Sequence, residues 1–320
     1  MSVIASGGIF VRIRELSPHQ KFQGYLAVRN VILKQGASGP FLDLKLWDGE
    51  AEAPGRFWSF EGQPPRPNTV LWVEGAVGLY NNQVQLTLSS FRTAAAGEYR
   101  SEAFLPQCPV DVGQLWERLR LLIREVTHPP LAGLLSAVFD NEELAASFRQ
   151  APAAVRHHHA YLGGLLHHTV SVTNRVLGLA ADDRADRDIL ITGALLHDLG
   201  KTEEYSWEGV SLGVTDRGRF VGHIALGMIK LSGLAASVPG LNAVLLDQVL
   251  HILASHHGSR EWGSPVEPCT REAMLVHMAD LADSRLFKME EARAAAAPSE
   301  NWSPMVPEIG RVWAGTRAGE

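Results

Sequence analysis

The stretch 189–201, ILITGALLHDLGK, decides how the larger part of the chain is read. An unbroken apolar run ending in His197-Asp198 reads as a buried helix that delivers an imidazole and a carboxylate at its C-terminal end. Neighbouring side chains on a helix diverge by about 100°. Both can therefore serve one metal only if the helix end points at it, and the carboxylate can also bridge two metals. Gly200 is expected to stop the helix, leaving Lys201 at a mobile edge where its ammonium can meet a phosphate.

Working outward, four further pieces carry the same residue types: HHHAYLGGLLHHT (157–169), GHI (222–224), ASHHG (254–258) and HMAD (277–280). Of 13 histidines, ten lie between His157 and His257, a clustering that calls for chemistry. Imidazole and carboxylate are the ligands that divalent transition metals share, and a helix bundle can aim side chains from separate helices at one interior point. Taken singly, each piece is matched by a blander reading, since a lone buried histidine is usually a hydrogen-bonded core residue. The ordered series H, HD, H, HH, D is far harder to obtain by chance. His19 and His128 lie outside it, and His251 falls on the apolar face of its helix, so all three are expected to be structural. His277 shares a helical face with Asp280 and is expected to support it.

Periodicity places helices at 111–126, 130–137, 141–149, 163–180, 187–199, 222–235, 241–256 and 270–290, with Gly200 and Gly258 as C-terminal stops. Before them, from Phe10 to Phe91, short alternating runs such as FLDLKLWD, TVLWVEGAVGLY and QVQLTLSSF read as a small β-barrel or sandwich, with a tight hairpin at Asn81-Asn82. Residues 93–110 lose the alternation and read as a linker. The resulting division is a β domain over 1–100, a lead-in over 101–150, a helical metal domain over 151–290 and a tail over 291–320.

The chain has 320 residues, 46% of them hydrophobic, enough for two modest cores. A net charge of −6 excludes a protein that coats nucleic acid through a broad basic field, so any polyanion must be gripped locally. Two cysteines, Cys108 and Cys269, make no disulfide framework and fit a reducing compartment, the cytoplasm. No run approaches the roughly 18 apolar residues of a membrane span, so no membrane partner is expected.

These motifs resemble the HD superfamily of metal phosphohydrolases. The segments FLPQCPVDVGQLW, APAAVRHHHAYLGGLLHHTVSV, ASHHGSREWGSPVEPCTREAMLVHMADLADS and NWSPMVPEIGRVW are similar to the bacterial YhaM-type 3′-5′ exoribonucleases, a likeness over nearly the whole chain. The resemblance implies an N-terminal all-β OB-fold barrel followed by an all-α HD-domain helical bundle. The family's GLLEHT-like motif corresponds here to GLLHHT, which carries the ligand to His168 and puts His167 where the family has Glu. It further implies that His168, His197, Asp198 and Asp280 hold one metal and His223 and His256 a second. In that arrangement Asp198 bridges, and His257 is a spare ligand or phosphate contact. His158, His159, Tyr161 and Gly163 match the family pattern, with His159 and Tyr161 expected near substrate.

An OB barrel binds single strands by stacking bases on aromatics. Trp47, Trp58, Phe57 and Tyr80 are the candidates, with at least half expected in the core. The implied activity is removal of nucleoside 5′-monophosphates from the 3′ end of single-stranded RNA, with short single-stranded DNA secondary. Two divalent ions from among Mn, Fe, Co, Ni and Zn would be needed. In this scheme Asp198, Lys201 and His257 serve catalysis, and a homo-oligomer is compatible with it. Competing readings are hydrolysis of a nucleotide or cyclic dinucleotide with the barrel as scaffold, a binding module with a vestigial site, and oxygen activation at iron.

Overall fold

In the computed structural model of the chain the described residues are 10–315, apart from Ser38, Asn81, Asn82, Ala96, His157, Asp182, Asp183, Glu208 and Pro298 and the side chains of Tyr80 and Gln83. Two compact units emerge. One runs to Pro106 and includes Trp207–Leu212; the other comprises Gln107–Ser206 and the chain from Gly213 onward.

The first unit is built on strands β1 (Lys21–Gly36), β2 (Gly39–Trp47), β3 (Glu52–Trp58), β4 (Val70–Tyr80) and β5 (Gln83–Thr93). They form a closed barrel in the order β1-β2-β3-β5-β4, the five-stranded OB arrangement. The 16-residue β1 makes this possible by serving two partners. Its first half pairs β4 and its second half pairs β2, with the register shifting between Val28 and Asn30. A short parallel contact, Gly55 with Leu86 and Arg56 with Thr87, shuts the barrel. Alternation then sends Leu26, Val28, Leu42, Leu44, Leu46, Leu71, Val73 and Leu86 inward to fill the interior. Tyr80 pairs Gln83 at the hairpin end; the expected Asn81-Asn82 turn falls outside the described residues.

The stretch expected to be a linker is partly core. A 3-10 turn at Ser101–Phe104 sets Phe104 fully buried beside Tyr25, Ala27 and Val70, and Val210 of the Trp207–Leu212 segment completes that cluster. Apolar burial overrides the weak local pattern.

The second unit holds helices α1 (Val112–Arg124), α2 (Pro129–Phe139), α3 (Glu142–Gln150), α4 (Gly164–Leu179), α5 (Arg187–Leu196), α6 (Lys201–Glu204), α7 (Asp216–Val221), α8 (His223–Ala235), α9 (Ala243–Ser255) and α10 (Arg271–Ala294). A two-stranded ribbon, β6 (Tyr205–Ser206) with β7 (Gly213–Val214), lies between α6 and α7. Asp111, Asn141, Asp186, Asn242 and Thr270 each cap a helix by accepting a backbone N–H in its first turn. All residues from Ile189 to Leu196 are buried. A helix apolar on every side must be central, and α5 packs against α4, α9 and α10. Among the described residues no helix is long and apolar enough to cross a membrane.

Candidate metal centre

The central helix α5 ends at Leu196, and His197 and Asp198 follow in the turn beyond it, both buried. Around them stand His168 from α4, His223 at the first position of α8, His256 and His257 just past α9, and Asp280 on α10.

Asp198 is the centre of the cluster. Its Oδ2 lies 3.3 Å from Nε2 of both His168 and His197, while its Oδ1 lies 3.7 Å from Nε2 of His223 and 3.6 Å from Nε2 of His256. His168 Nε2 is also 3.2 Å from Asp280 Oδ1 and 3.3 Å from His197 Nε2. The donor atoms of His168, His197 and Asp280 lie within 4.8 Å of one another, as do those of His223, His256 and His257. Each carboxylate oxygen of Asp198 thus faces one donor group.

Every imidazole in the cluster is oriented through its other nitrogen. Nδ1 of His197, His256 and His257 lies 2.8 Å from the carbonyl oxygens of Ala194, Leu253 and Trp262 respectively. His168 Nδ1 is 2.9 Å from Asp283 Oδ2, and His223 Nδ1 is 3.1 Å from Glu204 Oε2. An acceptor at Nδ1 fixes the tautomer that leaves a lone pair on Nε2. Lone pairs of several imidazoles and two carboxylates then converge on one another, an arrangement that a cation between them stabilises. The donor spacings of 3.2–3.3 Å are those of ligands about 2.1 Å from a common ion. Asp198 Oδ1, His223 Nε2 and His256 Nε2 are buried with no hydrogen-bond partner among the described residues, while Asp198 Oδ2 is met by a lysine ammonium at 2.6 Å. The residues present therefore fit a divalent metal.

Among the side chains themselves, a proton on His168 occupies the place a metal ion would take, and ion binding would release it. Burial opposes a proton on His168, but Asp198, Asp280 and Asp283 outweigh it and hold its pKa well above 6.5. Burial also disfavours ionised Asp198, yet Lys201 and His197 pull its pKa well below the usual carboxylate range. His256, buried beside His257, is held well below 6.5.

Lys201 departs from its expected place. Gly200 adopts right-handed helical angles and does not end a helix in the left-handed region. It is glycine because a Cβ there would lie 1.9 Å from the carbonyl oxygen of His223. Lys201 is consequently buried, with Nζ 2.6 Å from Asp198 Oδ2, and is no mobile edge. Gly258, at φ +88°, does act as a stop.

His159 and Tyr161, expected near substrate, are 2% and 8% exposed and stand behind the cluster. His159 Nε2 is 3.0 Å from Asp283 Oδ2, its Nδ1 is 2.5 Å from the Tyr161 hydroxyl, and that hydroxyl is 2.7 Å from His167 Nδ1. With Asp283 as acceptor, the network assigns a one-way chain. His167 donates to Tyr161, Tyr161 to His159, and His159 and His168 to Asp283. His167, in place of the family Glu, therefore braces Tyr161. His277 contacts the carbonyl oxygen of His256 at 2.9 Å and supports that turn, where Asp280 was the expected partner.

Two residues that sequence reasoning missed complete the surround. Asp283, one turn after Asp280, also accepts from the Ser171 hydroxyl and from Arg175 Nε at 3.0 Å. Glu204 holds both the backbone N–H of His223 and its ring. The i, i+3 spacing from Asp280 was the available signal for Asp283; Glu204 sits on a helix too short to show a period.

On the barrel, Trp47 is half-buried with its indole N–H donating to Phe104 O at 2.6 Å, and the Arg29 guanidinium covers its ring. Phe57 packs against Phe60 and Phe91. Trp58 is 46% exposed, its ring 4.6 Å from that of Phe41 and beneath Arg56. The side chain of Tyr80 is outside the described set.

A family model described as HD domain matches residues 165–284, a span that contains every histidine and aspartate of the cluster. The chain is 31% identical to the 3′-5′ exoribonuclease YhaM of Bacillus subtilis strain 168, over 86% of this chain and 88% of that protein. It is 32% identical to the 3′-5′ exoribonuclease YhaM of Listeria monocytogenes serotype 4b, over 86% of this chain and 89% of the relative. Among solved structures, the second OB-fold domain of replication protein A from Methanococcus maripaludis matches 26% of this chain and 92% of that domain, at 16% identity and a TM-score of 0.21.

Proposed function

The chain belongs to the family of YhaM 3′-5′ exoribonucleases, and on that premise we propose that it hydrolyses the 3′-terminal phosphodiester of single-stranded RNA at a two-metal centre, releasing nucleoside 5′-monophosphates. The observation that carries the metal reading is the convergence of four imidazole Nε2 atoms on the two buried oxygens of Asp198, of which Oδ1 has no hydrogen-bond partner among the described residues. His168, His197 and Asp280 would hold one ion, His223 and His256 a second with His257 beside them, and Asp198 would bridge. Nitrogen and carboxylate donors of this kind suit Mn, Fe, Co, Ni or Zn.

Divalent ions held there would neutralise charge on the phosphoryl group and acidify a water for attack in line with the leaving 3′-oxygen. Buried walls exclude bulk water, which strengthens every charge interaction inside. Lys201 keeps Asp198 ionised and adds a fixed positive charge beside the centre. Asp283 and Glu204 hold His168 and His223 in the orientation that ligation needs. His257, partly buried, is the candidate to contact the scissile phosphate.

The barrel would grip the strand, with Trp58 and Arg56 as its stacking platform in place of Trp47. The division into a barrel over 1–100, a lead-in over 101–150, an HD domain over 151–290 and a tail over 291–320 belongs to this proposal. So do a secondary action on single-stranded DNA, a homo-oligomeric state and a cytoplasmic setting.

Incubation of a 5′-labelled single-stranded RNA with the protein and each metal in turn tests it. A ladder shortening from the 3′ end is expected; RNA left intact with every metal defeats the proposal.

A further inference from the structure

We propose that Phe220 and Trp262, each beside an unpaired arginine, form two rims that clasp the 3′-terminal nucleotides of the substrate at the mouth of the metal centre. This rests on the exoribonuclease reading and names groups that would hold its substrate.

The cluster is sealed at one end and open at the other. Side chains of His168 and Asp198 are 0% and 1% exposed, whereas those of Asp280 and His223 reach 16% and 13%. His257 is only partly buried, and its ring lies 5.2 Å from that of His223. The cluster thus reaches solvent at Asp280, His223 and His257, and the segments beside the two histidines are placed to meet a substrate there.

One rim is α7, which ends two residues before His223. It is tied to the site. Thr215 donates its hydroxyl to Glu203 O at 2.8 Å, and Gly218 packs so closely that a Cβ would lie 2.4 Å from Glu204 O. Glu204 in turn holds His223. With Gly218 turned inward, Phe220 projects outward and is 88% exposed, more than any other large apolar side chain among the described residues. An isolated exposed phenylalanine is ordinary, but this one is carried on a fixed turn three residues from a site histidine. The guanidinium of Arg219 beside it is exposed and has no ion pair or hydrogen bond among the described residues.

The other rim is the 3-10 turn Arg260–Trp262, which follows His257. The carbonyl oxygen of Trp262 takes the contact from His257 Nδ1 at 2.8 Å, and its ring lies 6.2 Å from that of His277, which braces His256. Trp262 is 54% exposed. Arg260 is likewise exposed and unpaired, with Glu261 offsetting part of its charge. An exposed aromatic next to an arginine, on a segment tied to His223 and again on one tied to His257, matches a nucleotide, which presents a π-face and a phosphate together. The net charge of −6 makes such local cations the means of holding a polyanion.

The test measures binding of a 5′-fluorescent RNA of roughly ten nucleotides, its 3′-terminal linkages replaced by hydrolysis-resistant phosphorothioates, to the metal-loaded protein by anisotropy. A second RNA ends in an abasic ribose. Phe220→Ala and Trp262→Ala should each weaken binding of the ordinary RNA about tenfold, the effect of one lost stacked base, and Phe220→Trp should restore it. On the abasic RNA, wild type and variants should bind equally weakly. Equal binding of the ordinary RNA by all forms, or an equal loss on both RNAs, overturns the clasp. If wild type shortens no RNA yet these differences persist, the exoribonuclease reading fails and the clasp stands. If RNA is shortened from its 3′ end without them, the clasp alone fails.

Discussion

Replacing Asp283 by Asn should strip metal from the protein while barely changing its shape. The carboxylate lies within bonding distance of four groups: His168 Nδ1 at 2.9 Å, His159 Nε2 at 3.0 Å, Arg175 Nε at 3.0 Å and the Ser171 hydroxyl. All are donors, so whichever way the amide turns, its NH2 meets an N–H or O–H where an acceptor stood. If it faces the imidazoles, two buried N–H groups lose a charge-assisted bond at about 1.5–3 kcal/mol each. His168 can escape by moving its proton to Nε2, which removes the lone pair aimed at Asp198 and Asp280. Loss of such an orienting partner lowers metal affinity by roughly 10–100-fold. Competition titration against a coloured chelator measures this directly, with urea unfolding of the metal-free variant in parallel. We expect affinity to fall at least tenfold and unfolding stability by about 3–6 kcal/mol. Affinity within twofold of wild type would show that His168 does not need Asp283 to ligate, and the orienting role would have to be abandoned.

Gly200→Ala puts a Cβ 1.9 Å from the His223 carbonyl oxygen and 2.5 Å from the Gly227 nitrogen. It should push α8 away from Asp198, costing roughly 1–3 kcal/mol and weakening metal retention, both readable by thermal melts with and without chelator. Trp58→Ala, at an exposed barrel position, should leave the melting temperature unchanged and raise KM for RNA about tenfold; a change confined to kcat would contradict it. Metal-free protein should weaken on acidification between pH 6.5 and 4. Burial, then His168, lowers His158 from 6.5 to about 3, and burial, then His159, lowers His167 to about 4. The unfolded chain takes up these protons while the folded one does not, so stability is lost as pH falls through that window. His168, raised above 6.5, has the opposite slope, but only near and above pH 6.5, where the unfolded histidine still lacks its proton. A urea midpoint at pH 5 equal to that at pH 7 would refute this.

The helical half was legible because burial there follows local period. Leu115, Leu119 and Leu122 fall on one face of α1, and the unbroken apolar run of α5 announces a central helix. What escaped was set by contacts distant in sequence. Trp47 and Trp58 look alike as text, but burial of Phe104 gives the first a carbonyl partner and leaves the second open. Closure of the barrel through Gly55 and Leu86 joins strands far apart in the chain. The burial of Lys201 depends on α8 pressing against Gly200. Nor does anything local distinguish His159 as a partner of Asp283, 124 positions later.

The placement of Val210 in the aromatic cluster of the barrel unit has a consequence for how the chain is made. On the ribosome, strands β1 to β5 are complete once Thr93 has emerged, yet that cluster stays unfinished until the residues up to Leu212 follow. At ordinary synthesis rates the 106 residues separating Pro106 from Leu212 take about 5–20 s. For that interval the nascent barrel carries an open apolar seam. The helices that will carry Asp198 are being translated meanwhile, so N-terminal unit and C-terminal unit mature together and no single cut in the gene separates them cleanly.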